Sequence, residues 1–227
     1  MKAILFGATG MVGQGVLREC LLDTEVAAVL VVGRSPLPPD MTWSELGASA
    51  RLRRLVLKDM TDYGGALQEL SGYDTCFFCL GVSSAGMDEA DYRRVTYDIT
   101  LAAAETLVTL NPGMTFMYVS GAGTDSTEKG RTMWARVKGE TENALLRMPF
   151  KAAYMFRPGF IQPLDGITSR TRAYRLVLGL TRPIFPLLRR MFPRAVTTTQ
   201  QLGRAMLRVA KEGYPKPILE AEDICGM

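Results

Sequence analysis

The chain has 227 residues, 47% of them hydrophobic and 22% charged, a balance that suits a globular protein with a full core. It has no histidine, which excludes a Ser-His-Asp triad, a Cys-His pair, an imidazole proton shuttle and histidine-ligated zinc. The net charge of +4 is unevenly placed: residues 1–113 hold 9 basic and 14 acidic side chains, and residues 114–227 hold 18 and 9.

The chain alternates short apolar runs with helical patterns. Residues 2–7 read as a buried strand and 11–22 as a helix, with a glycine-rich turn between them. Residues 27–33 form a second strand. Pro36, Pro38 and Pro39 then make a loop, and 43–50 a short helical turn. Residues 54–58 are a third strand, 62–70 a short helix and 74–80 a fourth strand. A long helix over 88–110 stops before Pro112. Residues 114–120 are a fifth strand, 132–147 a helix and 152–157 a sixth strand ended by Pro158-Gly159. Residues 172–191 are helical in pattern but interrupted by Pro183 and Pro186. A helix over 199–211 and a short strand over 217–220 complete the order. Near-continuous apolar strands separated by helices indicate an α/β fold with a doubly wound parallel sheet.

Four cysteines do not make a disulfide framework in a chain of this length. Cys76 and Cys79 have CxxC spacing inside an apolar strand, where residues three apart face opposite sides. A metal or redox pair is therefore not expected, and a reducing, cytoplasmic setting is. The N-terminus lacks a signal-peptide pattern. The longest uncharged stretch, 106–124, is broken by Asn111-Pro112-Gly113 and is no membrane span.

The residues that carry chemistry sit where strands end. Gly7-Ala8-Thr9-Gly10-Met11-Val12-Gly13 lies between the first strand and the first helix. Such glycines permit a tight turn, a close approach of pyrophosphate to the backbone, and close helix–strand packing. The helix N-terminus adds free N–H groups for the phosphates. After the second strand, Arg34-Ser35 stands where an NAD site carries an acid for the ribose 2′-hydroxyl. A guanidinium suits a 2′-phosphate, so NADP is favoured over NAD. Asp59-Met60 can bond and cover an adenine, or Asp59 can cap the next segment. Leu80-Gly81 either lets the backbone lie against a cofactor ribose or makes an ordinary turn. Ser120 ends the fifth strand, and Trp134 and Lys138 share one face of the following helix.

These features resemble the short-chain dehydrogenase/reductase superfamily, in its atypical, epimerase-like branch. The nearest likeness is to the small Tat-interacting-protein-like oxidoreductases. The resemblance runs from Gly7 to about residue 221. It includes Gly33-Arg34, Val137-Lys138-Gly139-Glu140 and Phe156-Arg157-Pro158-Gly159. It implies a Rossmann fold over 1–227, a nicotinamide cofactor and a catalytic Ser, Tyr, Lys set. Ser120 and Lys138 match that set. The tyrosine does not, because four residues before Lys138 stands Trp134, whose indole is neither acid nor base near neutral pH. Tyr97, or Tyr92 a turn earlier, is the candidate phenol on the neighbouring helix. Lys138 also holds ribose hydroxyls in this reading, and Pro158, Gly159 and Phe160 run past the nicotinamide. Glu140 and Glu142 are placed on the solvated side of their helix, and Arg157 is a candidate structural ion-pair residue.

About 160–215 forms a helical cap or substrate-side extension. Between Asp165 and Glu212 this part holds ten basic residues and no acid. A lid, a subunit contact, a membrane surface or packing against the acidic half of the chain are the open readings of that segment. The expected partner is a small-molecule substrate, with no metal and no nucleic acid, in a monomer or homodimer. The functional expectation is an NADP(H)-binding oxidoreductase or epimerase-like protein acting on a carbonyl or alcohol. The alternative, motivated by Trp134, is a dinucleotide-binding sensor with little or no turnover.

Overall fold

A computed structural model describes residues 1–37, 50–164, 167 and 195–227. The expected helical turn over 43–50, the proline-split helix over 172–191 and most of the cap lie outside the described residues. The first half of the fold comprises β1 (Lys2–Phe6), α1 (Met11–Leu22), β2 (Ala28–Gly33), β3 (Leu52–Val56) and β4 (Thr75–Phe78). A helical stretch follows as α2 (Glu89–Arg93), a π turn (Arg94–Asp98) and α3 (Ile99–Leu110). Next come β5 (Thr115–Val119), α4 (Met133–Leu146), β6 (Ala152–Arg157) and β7 (Phe160–Gln162). The chain closes with β8 (Val196–Thr198), α5 (Thr199–Glu212), β9 (Ile218–Glu220) and α6 (Ala221–Cys225).

Seven strands form one sheet in the order β3-β2-β1-β4-β5-β6-β9, every neighbouring pair parallel. This is the Rossmann-like α/β architecture expected from the sequence. Alternation along each strand builds two cores. Ala3 and Leu5 of β1, Phe77 of β4, Met117 of β5 and Phe156 of β6 face α1, α5 and α6. Ile4, Phe6, Cys76, Phe78, Phe116 and Met155 face α3 and α4. Cys76 and the partly buried Cys79 thus pack in different cores, as the strand period requires. On the second face Phe6, Phe78, Phe116 and Phe150 form a ladder with ring centroids 4.9–5.9 Å apart.

Helices α1 and α5 cross so closely that a Cβ on Gly203 would lie 2.9 Å from the Gly15 carbonyl oxygen. A Cβ on Gly15 would lie 2.6 Å from that of Thr199. We expect Gly203→Val to destabilise the fold by about 1–3 kcal/mol in urea unfolding, because backbone on both sides cannot yield to the added volume. Around the same seam Arg204 pairs with Glu19, and Lys211 with Asp23 and Glu25. Part of the basic segment therefore meets acids of the first half, the blandest of its open readings.

Four features differ from expectation. The third strand lies two residues earlier than 54–58. The Arg51 guanidinium donates to the carbonyls of Leu21, Asp23 and Val26 and pins the strand entrance. The helix expected over 62–70 shrinks to a 3₁₀ turn, Gly64–Ala66, since two adjacent glycines forfeit helix stability. The helix over 88–110 carries the π turn, where the Thr100 hydroxyl bonds back to the Thr96 carbonyl at 2.5 Å. A second, two-stranded parallel sheet, β7 with β8, was not anticipated from the sequence. Its β8 leads into a capping box in which Thr198 and Gln201 bond each other's backbone N–H.

Candidate functional site

The sheet order reverses between β1 and β4, and the crevice beyond the carboxyl ends of the strands at such a switch point is where ligands bind in α/β sheets. A groove of about 390 Å³ opens there. Its walls come from the start of α1 (Gly10, Met11, Val12) and the end of β4 (Cys79, Leu80, Gly81, Val82, Ser83). The end of β5 (Val119, Ser120, Gly121), Lys138 of α4 and the turn after β6 (Pro158, Gly159, Ile161) complete it.

The glycine turn has the geometry its chemistry needs. Gly7 has φ of 81°, and a Cβ there would lie 2.6 Å from the Cys79 carbonyl oxygen. The Gly10 N–H bonds the Gly7 carbonyl at 2.9 Å, and the Thr9 carbonyl accepts from the Gln14 side chain at 3.1 Å. A Cβ on Gly13 would stand 2.1 Å from the Gly7 carbonyl oxygen, so α1 sits directly against the turn. Gly10 caps α1 without a side-chain acceptor, and the first turn holds no acid. Free N–H groups at a helix start with no competing carboxylate form an anion site. At Gly81 a Cβ would meet no atom within 4 Å, so the backbone there borders open groove. These residues fit a dinucleotide.

The flanking residues are placed as follows. Arg34 and Ser35 are exposed just past β2, next to the end of β1, and Arg34 makes no ion pair among the described residues. Asp59 is exposed and accepts from the Thr61 N–H at 2.8 Å and hydroxyl at 2.7 Å, which lowers its pKa. Asp59 thus closes a local turn onto Thr61. Met60 is buried in the core on the α3 side. The buried Pro158 lines the groove and its carbonyl accepts from the Ala122 N–H at 2.9 Å. Gly159 also lines it, and Phe160 donates its N–H to the Ala195 carbonyl at 3.0 Å.

Of the catalytic candidates, Ser120 and Lys138 meet at the groove and Tyr97 does not line it. The Tyr97 ring lies under the Arg93 guanidinium, 4.0 Å from ring centre to Cζ. Tyr92 is 2% exposed, inside the protein. Trp134 is half-buried, and a Cβ on Gly123 would lie 3.5 Å from its indole. Lys138 donates to the Ser120 main-chain carbonyl. Burial holds its pKa down at about 8, against the opposing pull of Glu142.

Glu142 corrects the sequence reading outright. It is fully buried, not solvated, because the face of α4 that carries Lys138 continues one turn on against β5 and β6. Its carboxylate accepts the Ser120 hydroxyl at 2.5 Å and the Arg157 guanidinium at 2.5–3.2 Å. Arg157 also reaches Glu220 at 3.0 Å and the Ser126 hydroxyl at 2.5 Å, so the structural ion-pair role expected of it is present. Sequence reasoning missed this network, although Lys138-x-x-x-Glu142 spacing already put both side chains on one helix face. No group of three or more Cys, Asp or Glu able to hold a metal is found among the described residues.

No family model matches the chain. It is 25% identical over 163 residues to protein FMP52-1, mitochondrial, of Scheffersomyces stipitis, covering 71% of this chain and 67% of that protein. It is 28% identical over 161 residues to protein HTATIP2 of Rattus norvegicus, covering 70% and 62%. The chain thus spans about two thirds of the length of the curated relatives it matches. Its fold matches that of Gre2 in complex with NADPH from Candida albicans, with a TM-score of 0.71 at 11% identity, covering 97% of this chain and 78% of Gre2. The resemblance to the atypical short-chain dehydrogenases/reductases therefore holds in both sequence and fold. The cytoplasmic expectation does not. Several fungal relatives are named as mitochondrial proteins, and the lack of a signal-peptide pattern carried no information about that destination. Among the described residues no helix is long and apolar enough to cross a membrane.

Proposed function

We propose that this chain, with the fold and sequence likeness of the atypical short-chain dehydrogenases/reductases, binds NADP(H) and acts as an oxidoreductase or epimerase-like enzyme on a small carbonyl or alcohol. The observation that carries the reading is the groove itself, with the uncapped N-terminus of α1 at one wall and Lys138 with Ser120 at the other. A bound nicotinamide supplies hydride chemistry at such a site. The α1 N–H groups and Gly10 hold the pyrophosphate. Gly81 gives the ribose room, and Lys138 bonds its hydroxyls. Arg34 takes the 2′-phosphate, which sets NADP above NAD.

Two measurements test this. NADPH fluorescence titration is expected to give binding well below millimolar, and a panel of carbonyl substrates is expected to show NADPH consumption. No binding at millimolar NADPH overturns the cofactor reading. Arg34→Ala is expected to weaken NADPH binding about tenfold to a hundredfold, the loss of a charge-assisted hydrogen bond or two, and to leave NADH binding unchanged. An equal effect on both cofactors removes Arg34 from the 2′-phosphate. Trp134 favours a second reading, dinucleotide binding without turnover. Saturable NADPH binding with no consumption across the panel, and reductase activity gained in Trp134→Tyr, select that reading.

A further inference from the structure

The catalytic reading lacks a proton donor. The donors that line the groove among the described residues are few. No phenol is among them, since Tyr97 stands outside and Tyr92 is buried. The side chains that carry an exchangeable proton there are Cys79, Ser83, Ser120 and Lys138. The Ser120 hydroxyl proton is directed onto the Glu142 carboxylate at 2.5 Å. Ser83 is an exposed rim alcohol, and its oxygen already accepts a backbone N–H at 3.3 Å. Cys79 borders the apolar core, and burial raises its pKa.

A charge argument separates Lys138 from the rest. A thiol or an alcohol that gives up its proton leaves an anion in a poorly solvated wall, which costs free energy. An ammonium that gives up its proton leaves a neutral amine, and burial favours that product. Lys138 uses one N–H on the Ser120 carbonyl, so two of its three remain for a ligand. Among the described residues no carboxylate lies within ion-pair distance of it. Glu142, one turn further along α4, is already engaged by Arg157 and Ser120, and Glu140 pairs with Arg93.

We propose that Lys138 is the proton donor of this site, giving its Nζ proton to the oxygen of a bound carbonyl in the place where Trp134 leaves no phenol. The proposal rests on the reductase reading above. In the step, an Nζ–H bond breaks and an O–H bond forms, and the nitrogen keeps the electron pair. The oxygen accepts the proton on the pair released from the C=O bond as the carbon is reduced by the nicotinamide. Water returns a proton to the amine afterwards. In the reverse direction the neutral amine takes the hydroxyl proton.

The groups around the ammonium set its pH range. Glu142 on α4 opposes the loss of the proton, and Arg157 of β6 pairs with Glu142. Cys79 lines the same groove, and the buried Tyr118 phenol of β5 feels Tyr92 and Glu142. Cys79 and Tyr118 stay neutral near pH 8, since burial raises both.

The test joins a titration of the intact protein to its kinetics. Reductive ¹³C-methylation of the amines and NMR from pH 6 to 11 is expected to show a lysine signal with a midpoint near 8 that is absent from Lys138→Arg. Carbonyl reduction by the unmodified protein is expected to be flat below that midpoint and to fall above it, as a required acid predicts. Lys138→Arg keeps a cation in the groove, and its turnover at saturating NADPH is expected to fall at least about a hundredfold. Circular dichroism checks that the variant folds. If Lys138 titrates above pH 10, or Lys138→Arg retains turnover, the donor role is overturned and the reductase reading stands. If the wild type binds NADPH and reduces nothing, the reductase reading fails and the donor role with it.

Discussion

Glu142→Ala is expected to lower the free energy of unfolding by about 3–5 kcal/mol, read by urea denaturation. Glu140→Ala, two residues earlier on the same helix, is expected to cost less than about 1 kcal/mol. Both glutamates pair with an arginine, Glu140 with Arg93 at 2.5 Å and Glu142 with Arg157 at 2.5 Å. Distance therefore does not separate them, and solvent does. The Arg93 and Glu140 side chains are 38% and 31% exposed, so water screens the pair and replaces either partner when the other is removed. Those of Arg157 and Glu142 are 10% and 0% exposed. Removing the Glu142 carboxylate strips Arg157 of its Nε acceptor and leaves Ser120 only the Phe156 carbonyl, at 3.2 Å. Glu142→Gln is expected to fall between the two, because the amide keeps an acceptor for Ser120 but turns an N–H₂ toward the guanidinium. Equal, small effects at both positions would mean that water reaches the buried pair.

The same contrast explains what could be read from the sequence. Strands buried on both faces leave an unbroken apolar signature, so the parallel sheet and the chain positions of β1 and β6 were legible from Ile4, Leu5, Phe6 and their counterparts. The glycine turn was legible because its spacing and its position after β1 both speak for the same geometry. Glu142 was not, because a charged residue on an amphipathic helix is placed outside by default. Its burial depends on Arg157, fifteen residues away on strand β6. The π turn was hidden for a similar reason: Thr96 and Thr100 look like ordinary helix residues until their backbone bonds are traced. The edge strand β3 was misplaced because the exposed Arg53 and Arg54 blur its pattern, and its start is set by Arg51 reaching back to the end of α1. Short strands such as β7 and β8 owe their existence to each other across more than thirty residues of chain. The capping box at Thr198 and Gln201 was visible in principle, as Thr-Thr-Gln-Gln ahead of a helical pattern.

Gly13→Ala and Gly81→Ala are expected to divide folding from ligand binding. At Gly13 the new methyl would lie 2.1 Å from the Gly7 carbonyl oxygen and 2.6 Å from its carbon, both main-chain atoms that cannot rotate aside. Either α1 moves off the sheet or the turn opens, at a cost of about 1–3 kcal/mol in stability. Both movements displace the helix N–H groups from the phosphate position. With about 1.5–3 kcal/mol carried by each charge-assisted hydrogen bond, NADPH affinity falls at least tenfold for each one lost. At Gly81 the methyl meets no protein atom within 4 Å, and the residue is not in the left-handed region that only glycine tolerates. Stability there is expected to stay within about 0.5 kcal/mol. The methyl points into space that the proposal gives to the cofactor ribose, so NADPH affinity falls while the fold does not change. Thermal unfolding and NADPH titration on both variants read the two quantities separately. A Gly81→Ala protein that binds NADPH like wild type places the ribose elsewhere than over the end of β4. A Gly13→Ala protein of unchanged stability shows that α1 yields, and the close packing at Gly7 then has no bearing on phosphate binding.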